Sequence, residues 1–295
     1  MAKSSRALRG RMRSVQTTRK ITRTMELVSA SKLKRAQDRV VSARPYARAL
    51  AEVISDLSTP ELQARFPLLR KPASPSAGGP KRAAILLITS NRGLAGGFNA
   101  NLIKEARRRI EDLEAAGYQV DIHGVGRKGI GYFKYVGRAL ATQRIDIGDK
   151  PTADHANELV TPLIQEFDAG RLASLDIVYA KFNSPLSTPP MLLTILPVPT
   201  PERPKGGVRP DYILKPGADE ILEQLLPLYV RNLVYGGLVE TAASEHGARR
   251  TAMKSATDNA GEIYDLLKRT YNRQRQAAIT QEIAEIVGGA AALEG

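Results

Sequence analysis

The chain has 295 residues, 42% of them apolar and 25% charged, which suits a folded globular protein and excludes wholesale disorder. It lacks cysteine and tryptophan and has three histidines, so disulfides, thiolate metal sites and cysteine nucleophiles are excluded. The net charge of +14 asks for an acidic partner: nucleic acid, anionic lipid or an acidic protein surface.

Residues 1–58 read as one helix. The stretch 1–57 carries 14 basic residues against 4 acidic ones, a net of +10, and no acid precedes Glu26. The acid-poor start superficially resembles a transit peptide, but the helical pattern runs on past any cleavage point. Leu33, Ala36, Val40, Ala43, Ala47, Leu50, Ile54 and Leu57 alternate steps of three and four, the spacing of a coiled-coil seam. Before them, Leu8, Met12, Val15, Ile21, Met25 and Val28 continue the stripe with a register slip at two joins. No apolar run reaches the roughly 18 residues needed to span a bilayer.

Residues 59–81 hold five prolines and form a linker. Residues 82–198 switch period. Strands are expected at Ala83–Thr89, Tyr118–Val125, Thr142–Ile147 and Leu175–Phe182, with helices at Asn99–Ala116, Arg127–Val136 and Ala153–Asp168. This alternation predicts a Rossmann-like α/β domain with a parallel sheet, and Met191–Leu196 adds an antiparallel edge. A second proline-rich connector covers 199–216.

Residues 217–290 return to helix. Leu225, Leu228, Tyr235, Val239, Ala242, Met253, Ala256, Ala260, Ile263, Leu267 and Ala277 fall on one three-four series. Asn232, His246, Arg249, Thr270 and Gln274 sit on the same series and would fix its register. Pro227 should kink this helix or lie close to its start. Neither long helix can bury its stripe alone, so the two are expected to pair antiparallel with the α/β domain between them.

Several motifs invite chemistry. His123-Gly124-Val125-Gly126-Arg127-Lys128-Gly129 spells G-x-G-x-x-G after a strand, with Asp146 about twenty residues on, as in a dinucleotide-binding turn. It follows the second strand of its block rather than the first, and tight turns also explain the glycines. The second glycine-rich turn, Ser90–Asn99 (SNRGLAGGFN), lacks the Lys-Ser/Thr of a P-loop and reads as a packed turn capped by Asn99. Glu245–His246 suits a structural pair at a seam better than an acid–base couple, and Asp154–His155 reads as helix capping. No residue set argues for catalysis, a metal or a cofactor. A nucleic-acid-binding basic helix and a dinucleotide-dependent enzyme are the competing readings.

Four segments together resemble the gamma subunit family of F-type ATP synthase: Ser14–Gln37 (SVQTTRKITRTMELVSASKLKRAQ), Ser90–Asn99, Ser244–Asn259 (SEHGARRTAMKSATDN) and Tyr271–Ala291 (YNRQRQAAITQEIAEIVGGAA). Thr17 and Thr24 depart from the family pattern, where Asn and Ala are expected. The resemblance implies a non-catalytic rotor shaft: an antiparallel coiled coil inside the ring of alpha and beta subunits, its α/β foot against the c-ring and epsilon. It implies contacts to the beta subunits from Lys20, Arg23, Met25, Lys32, Arg35, Arg275, Gln276, Thr280 and Glu282, with Lys34 in the same basic stretch. It places Tyr212 at the foot near the c-ring and epsilon. It further implies no cofactor, no nucleic acid, no membrane insertion, and a peripheral place on the cytoplasmic side of a bacterial inner membrane.

Overall fold

A computed structural model of the chain describes residues 2–57, 65–70, 72, 78, 81–199 and 217–291. The connector 199–216, save residue 199, and most of the linker 59–81 therefore lie outside the described residues. The chain divides into two compact units, residues 1–28 with 250–295 and residues 29–249. Two helices, α1 (Ala2–Leu57) and α5 (Ala218–Ala291), each run through both units. Pro45 lies inside α1, and Pro227 lies inside α5, past its first turn, where each forgoes a backbone hydrogen bond.

The larger unit is built on a five-stranded sheet. Its strands are β1 (Arg82–Ile88), β2 (Gln119–Val125), β3 (Thr142–Arg144), β4 (Leu175–Ala180) and β5 (Pro190–Leu196). They lie in the order β3-β2-β1-β4-β5, with β5 antiparallel to β4 and the other pairs parallel. The period change seen in the sequence thus gives the Rossmann-like sheet and the antiparallel edge, though β3 is shorter than Thr142–Ile147 suggested. Helices α2 (Phe98–Ala115), α3 (Arg127–Tyr135) and α4 (Ala153–Asp168) fill the crossovers.

Central strand β1 is buried on both faces, and its alternation sorts the core. Ala83, Ile85 and Leu87 pack with Phe98, Leu102, Ala106 and Ile110 of α2 and Phe133 of α3. Ala84, Leu86 and Ile88 pack with α4, with Leu222, Leu226, Val230 and Val234 of α5, and with Leu50, Ile54 and Leu57 of α1. Gly237 permits this approach, because a methyl there would stand 2.7 Å from Ile177 Cδ1. Asp176 in β4 is fully buried but paired, with Arg109 Nε at 2.7 Å and Thr194 Oγ1 at 2.5 Å.

The two helices also meet each other in this unit. Leu33, Ala36 and Val40 of α1 form a buried cluster with Val239 and Ala243 of α5, low numbers on one facing high numbers on the other. The apolar half of the α1 seam is thus where spacing put it.

Towards the start of α1 the seam is more polar than the sequence suggested. Thr22, Glu26 and Ser29 are buried along α1, whereas Ile21 and Val28 are 55% and 51% exposed. Taken through Thr22, Glu26, Ser29, Leu33, Ala36 and Val40, the series keeps alternating fours and threes. The slip expected at the join of Val28 to Leu33 is therefore absent: polar side chains occupy the seam and Ile21 and Val28 lie one position off it. On α5, Leu228, Ile263 and Ala277 are exposed, against expectation, and Thr257, Gly261 and half-buried Tyr264 take the inward places instead. Among the described residues, no helix is long and apolar enough to cross a membrane.

Candidate partner-contact site

In the smaller unit, three contacts pin α1 to α5 antiparallel. The Thr257 hydroxyl donates to Thr22 Oγ1 at 2.8 Å, Arg19 lays its guanidinium 3.5 Å from where a Gly261 methyl would be, and Arg9 reaches Tyr271. Arg9 Nη2 donates to the Tyr271 hydroxyl at 2.5 Å, and its Cζ lies 5.4 Å from the ring centroid. Ala278 is half-buried, and residues 279–289 beyond it are exposed. There Ile279, Ile283, Ile286 and Val287 are 47–72% exposed at steps of four, three and one, an apolar strip on one face.

The residues that the resemblance singled out are mostly outward-facing here. Lys20, Arg23, Arg275, Gln276, Thr280 and Glu282 are exposed, and Met25 is half-buried. Arg23 is held by Glu26 at 2.9 Å, an i,i+3 pair whose acidic partner lies in the seam.

Lys32 and Arg35 belong to the larger unit. Arg35 is exposed, its guanidinium 3.3 Å from Ser31 Oγ, and Lys34 pairs with Asp38 at 2.9 Å. Lys32 instead gives its ammonium to Asp149, in the segment between β3 and α4. Tyr212 lies outside the described residues.

The structure also settles what the glycine motif does. Gly126 adopts φ +91°, and a methyl on it would stand 2.1 Å from the Thr89 carbonyl oxygen. The first three N–H groups of α3, which would cradle a pyrophosphate in a dinucleotide site, are all engaged by the chain. Arg127 N donates to Asn91 Oδ1 (3.0 Å), Lys128 N to the Ser90 carbonyl (3.1 Å), and Gly129 N to Thr89 Oγ1 (2.9 Å). Asp146, the counterpart of a ribose-binding acid, is clasped by Arg144 at 2.8 and 2.7 Å. That hydrogen bonding holds its carboxyl at about 2. The turn is thus a brace between β1 and α3.

Two capping expectations separate. Thr152 Oγ1 accepts from His155 N at 3.3 Å while His155 Nδ1 accepts from Thr152 N at 3.2 Å, a capping box closed by histidine. Asn99, by contrast, does not cap α2. That helix starts at Phe98 after Gly97, and the Asn99 side chain fastens the turn through Ser90 N at 3.0 Å.

Sequence reasoning missed the polar group around Asp149. Burial pushes the His246 ring down to about 4, so it is neutral at pH 7. Glu245, raised chiefly by burial and restrained by Arg249, pairs with that arginine at 2.6 Å. Lys32 and Asp149 are 117 positions apart, beyond any local signal.

Two long helices paired antiparallel, with an α/β domain inserted between them in sequence, define a helical shaft protein. The model of the ATP synthase family matches residues 4–293. An ATP synthase gamma chain from Gemmatimonas aurantiaca is 60% identical over 296 residues, covering 100% of both chains. One from Leptospira biflexa is 43% identical over 98% of each. In fold, the chain is similar to one in the Euglena gracilis mitochondrial ATP synthase OSCP/F1/c-ring structure, with TM-score 0.67, 18% identity, and 99% and 95% of the two chains covered. A rotor structure of the same synthase gives 0.66 at 17% identity, covering 95% and 100%. The chain belongs to the ATP synthase gamma chain family.

Proposed function

We propose that this chain is the central rotor shaft of a bacterial ATP synthase, a non-catalytic subunit that couples ion flow through the membrane c-ring to the nucleotide sites of the alpha and beta subunits. The observation that carries this reading is the antiparallel helix pair, locked by a heptad seam from Thr22 to Val40 and presenting exposed side chains to its surroundings. A shaft of this kind makes no bonds of ATP. It shifts the beta subunits between open and closed states by contacting each state differently, which is what coupling between distant sites requires.

Lys20, Arg23, Met25, Arg35, Arg275, Gln276, Thr280 and Glu282 are the beta-contacting set in this proposal, supported by the exposure of all but half-buried Met25. Lys32 takes a smaller share, since Asp149 engages its ammonium. Tyr212 is the contact to the c-ring and epsilon. The division into helix 1–58, foot 82–198 and helix 217–290, with linkers between, belongs to the same proposal. So does a peripheral location on the cytoplasmic side of the inner membrane.

The test is a crosslink. A cysteine replacing Arg275, paired with one in the facing loop of a beta subunit, should stop ATP turnover when oxidised and restore it on reduction. Full turnover with the bond formed overturns the contact, or its need to move.

A further inference from the structure

Asp149 is reached by both long helices. From α1, Lys32 Nζ binds carboxylate oxygen Oδ2, and one heptad on Arg39 Nη1 donates to the Asp149 carbonyl at 2.8 Å. From α5, the neutral ring of His246 abuts the carboxylate, its Nε2 3.3 Å from Oδ1 but outside hydrogen-bond geometry. One turn further, Arg249 donates from Nε to the Gly93 carbonyl at 3.2 Å and from Nη2 to the Arg92 carbonyl at 3.4 Å. The Asp149 segment is itself tied to the turn after β1, because Asn91 Nδ2 donates to the Ile145 and Ile147 carbonyls at 3.0 and 3.1 Å.

Apolar packing continues at this level through Ile88, Val125, Ile147 and Leu238. A cavity of 320 Å³ opens between the carboxyl ends of β1 and β2 and helix α5, bordered by Asn91, Arg92, Arg127, Asp149, Thr241 and Glu245. Polar contacts here add to the apolar core that already holds the helices to the sheet. Burial alone would raise the Asp149 carboxyl, but the Lys32 hydrogen bond and the cations around it outweigh burial and hold it below the ordinary range. It is therefore ionised at neutral pH and keeps Lys32.

We propose that Asp149 is a positioning residue for torque transfer: the point at which the α/β domain grips α1 and α5 together, so that rotation imposed on the domain reaches both helices without slip. This rests on the rotor reading. The seam joins the helices to each other, and the sheet core joins them to the domain on one side. Asp149 bonds α1 directly and abuts His246 of α5, while Arg249 bonds α5 to the turn that holds the Asp149 segment, so all three meet at this residue.

The test uses the assembled synthase in sealed membrane vesicles, measuring ATP hydrolysis and ATP-driven ion uptake in the same preparation. Asp149→Asn keeps the shape and removes the charge. Ion uptake per ATP hydrolysed should fall about two- to thirtyfold, the usual range for a residue carrying coupling between sites. The vesicles are washed free of unattached catalytic subunits and their passive ion leak is measured without ATP, so that the ratio counts assembled synthase only and isolates coupling. Asp149→Glu should recover part of the ratio, and Lys32→Met should lower it less than Asp149→Asn does. The double variant Lys32→Met/Asp149→Asn should be no worse than Asp149→Asn alone, because Lys32 acts through Asp149. An unchanged ratio in Asp149→Asn overturns the proposal, as does a double variant in which the two losses add. Failure of the rotor reading looks different: wild-type vesicles rebuilt with this chain would then take up no ions on addition of ATP.

Discussion

The hydroxyls of Thr22 and Thr257 meet at 2.8 Å, in a seam position where coiled coils ordinarily place leucine. Each also has a helix carbonyl in reach, Arg19 at 3.1 Å for Thr22 and Met253 at 2.8 Å for Thr257, so the pair is satisfied in more than one proton arrangement. Both residues are 8% exposed.

A double-mutant cycle checks the pair. Thr22→Val or Thr257→Val alone should cost about 1 kcal/mol, the worth of a typical buried hydrogen bond. The double valine variant should cost less than the two losses combined, because neither hydroxyl is then left waiting for the other. Urea unfolding followed by circular dichroism measures all three. Strict additivity would mean that the hydroxyls do not interact.

Gly126 and Gly137 both have positive φ, +91° and +74°, but in different surroundings. Gly126→Ala pays for the conformation and for a clash with the Thr89 carbonyl, so a loss of about 3–5 kcal/mol is expected. Gly137→Ala meets no atom within 4 Å and should cost only about 1–2 kcal/mol. Equal losses in thermal unfolding would show that the brace between β1 and α3 gives way more readily than its geometry indicates.

Neighbouring glycines in α5 should respond oppositely. Gly236 has open space around it, and Gly236→Ala should stabilise the chain by up to about 1 kcal/mol through helix propensity. Gly237→Ala forces Ile177 Cδ1 to move from 2.7 Å and should destabilise, by about 1–3 kcal/mol. A rise in urea midpoint for Gly236→Ala together with a fall for Gly237→Ala is the expected pattern.

His246 gives the larger unit a specific acid sensitivity. Its ring is depressed from 6.5 to about 4 in the folded chain by burial, with Arg249 and Lys32 opposing and Asp149 favouring its charge. The unfolded chain therefore binds a proton that the folded chain refuses between those values. The stability due to neutral His246 is full above about pH 6.5 and is lost as pH falls towards 4, up to about 3 kcal/mol. In His246→Gln the unfolding free energy should fall less steeply over that interval. An unchanged slope would place the acid sensitivity elsewhere.

Most of the fold was legible because it is written in hydrophobic period. β1 is an unbroken apolar run and proved to be the central strand, and the three-four spacing of Leu33, Ala36 and Val40 marked the side of α1 that meets α5. The same signal misled one turn away. Ile21 and Val28 are apolar but lie off the seam, and Thr22, Glu26 and Ser29 are on it. Periodicity weighs side-chain type, whereas helix geometry obeys position.

The candidate site was legible in part. Exposed charges on a helix look alike in sequence, so nothing separated Lys32, which turns to Asp149, from Arg35, which stays outward. The G-x-G-x-x-G spacing correctly marked a strand, a tight turn and a helix. It could not say what fills the turn, because Thr89, Ser90 and Asn91 lie some forty residues earlier in the chain.

That filling changes what the α/β domain is. In a nucleotide-binding relative of this architecture, the helix after the glycine turn is completed by a molecule that arrives and departs. Here the complement is covalently attached and always present. The junction of β1 and α3 therefore has the same stiffness whatever the metabolite supply, and a slot that elsewhere reports on the cell has become a fixed strut.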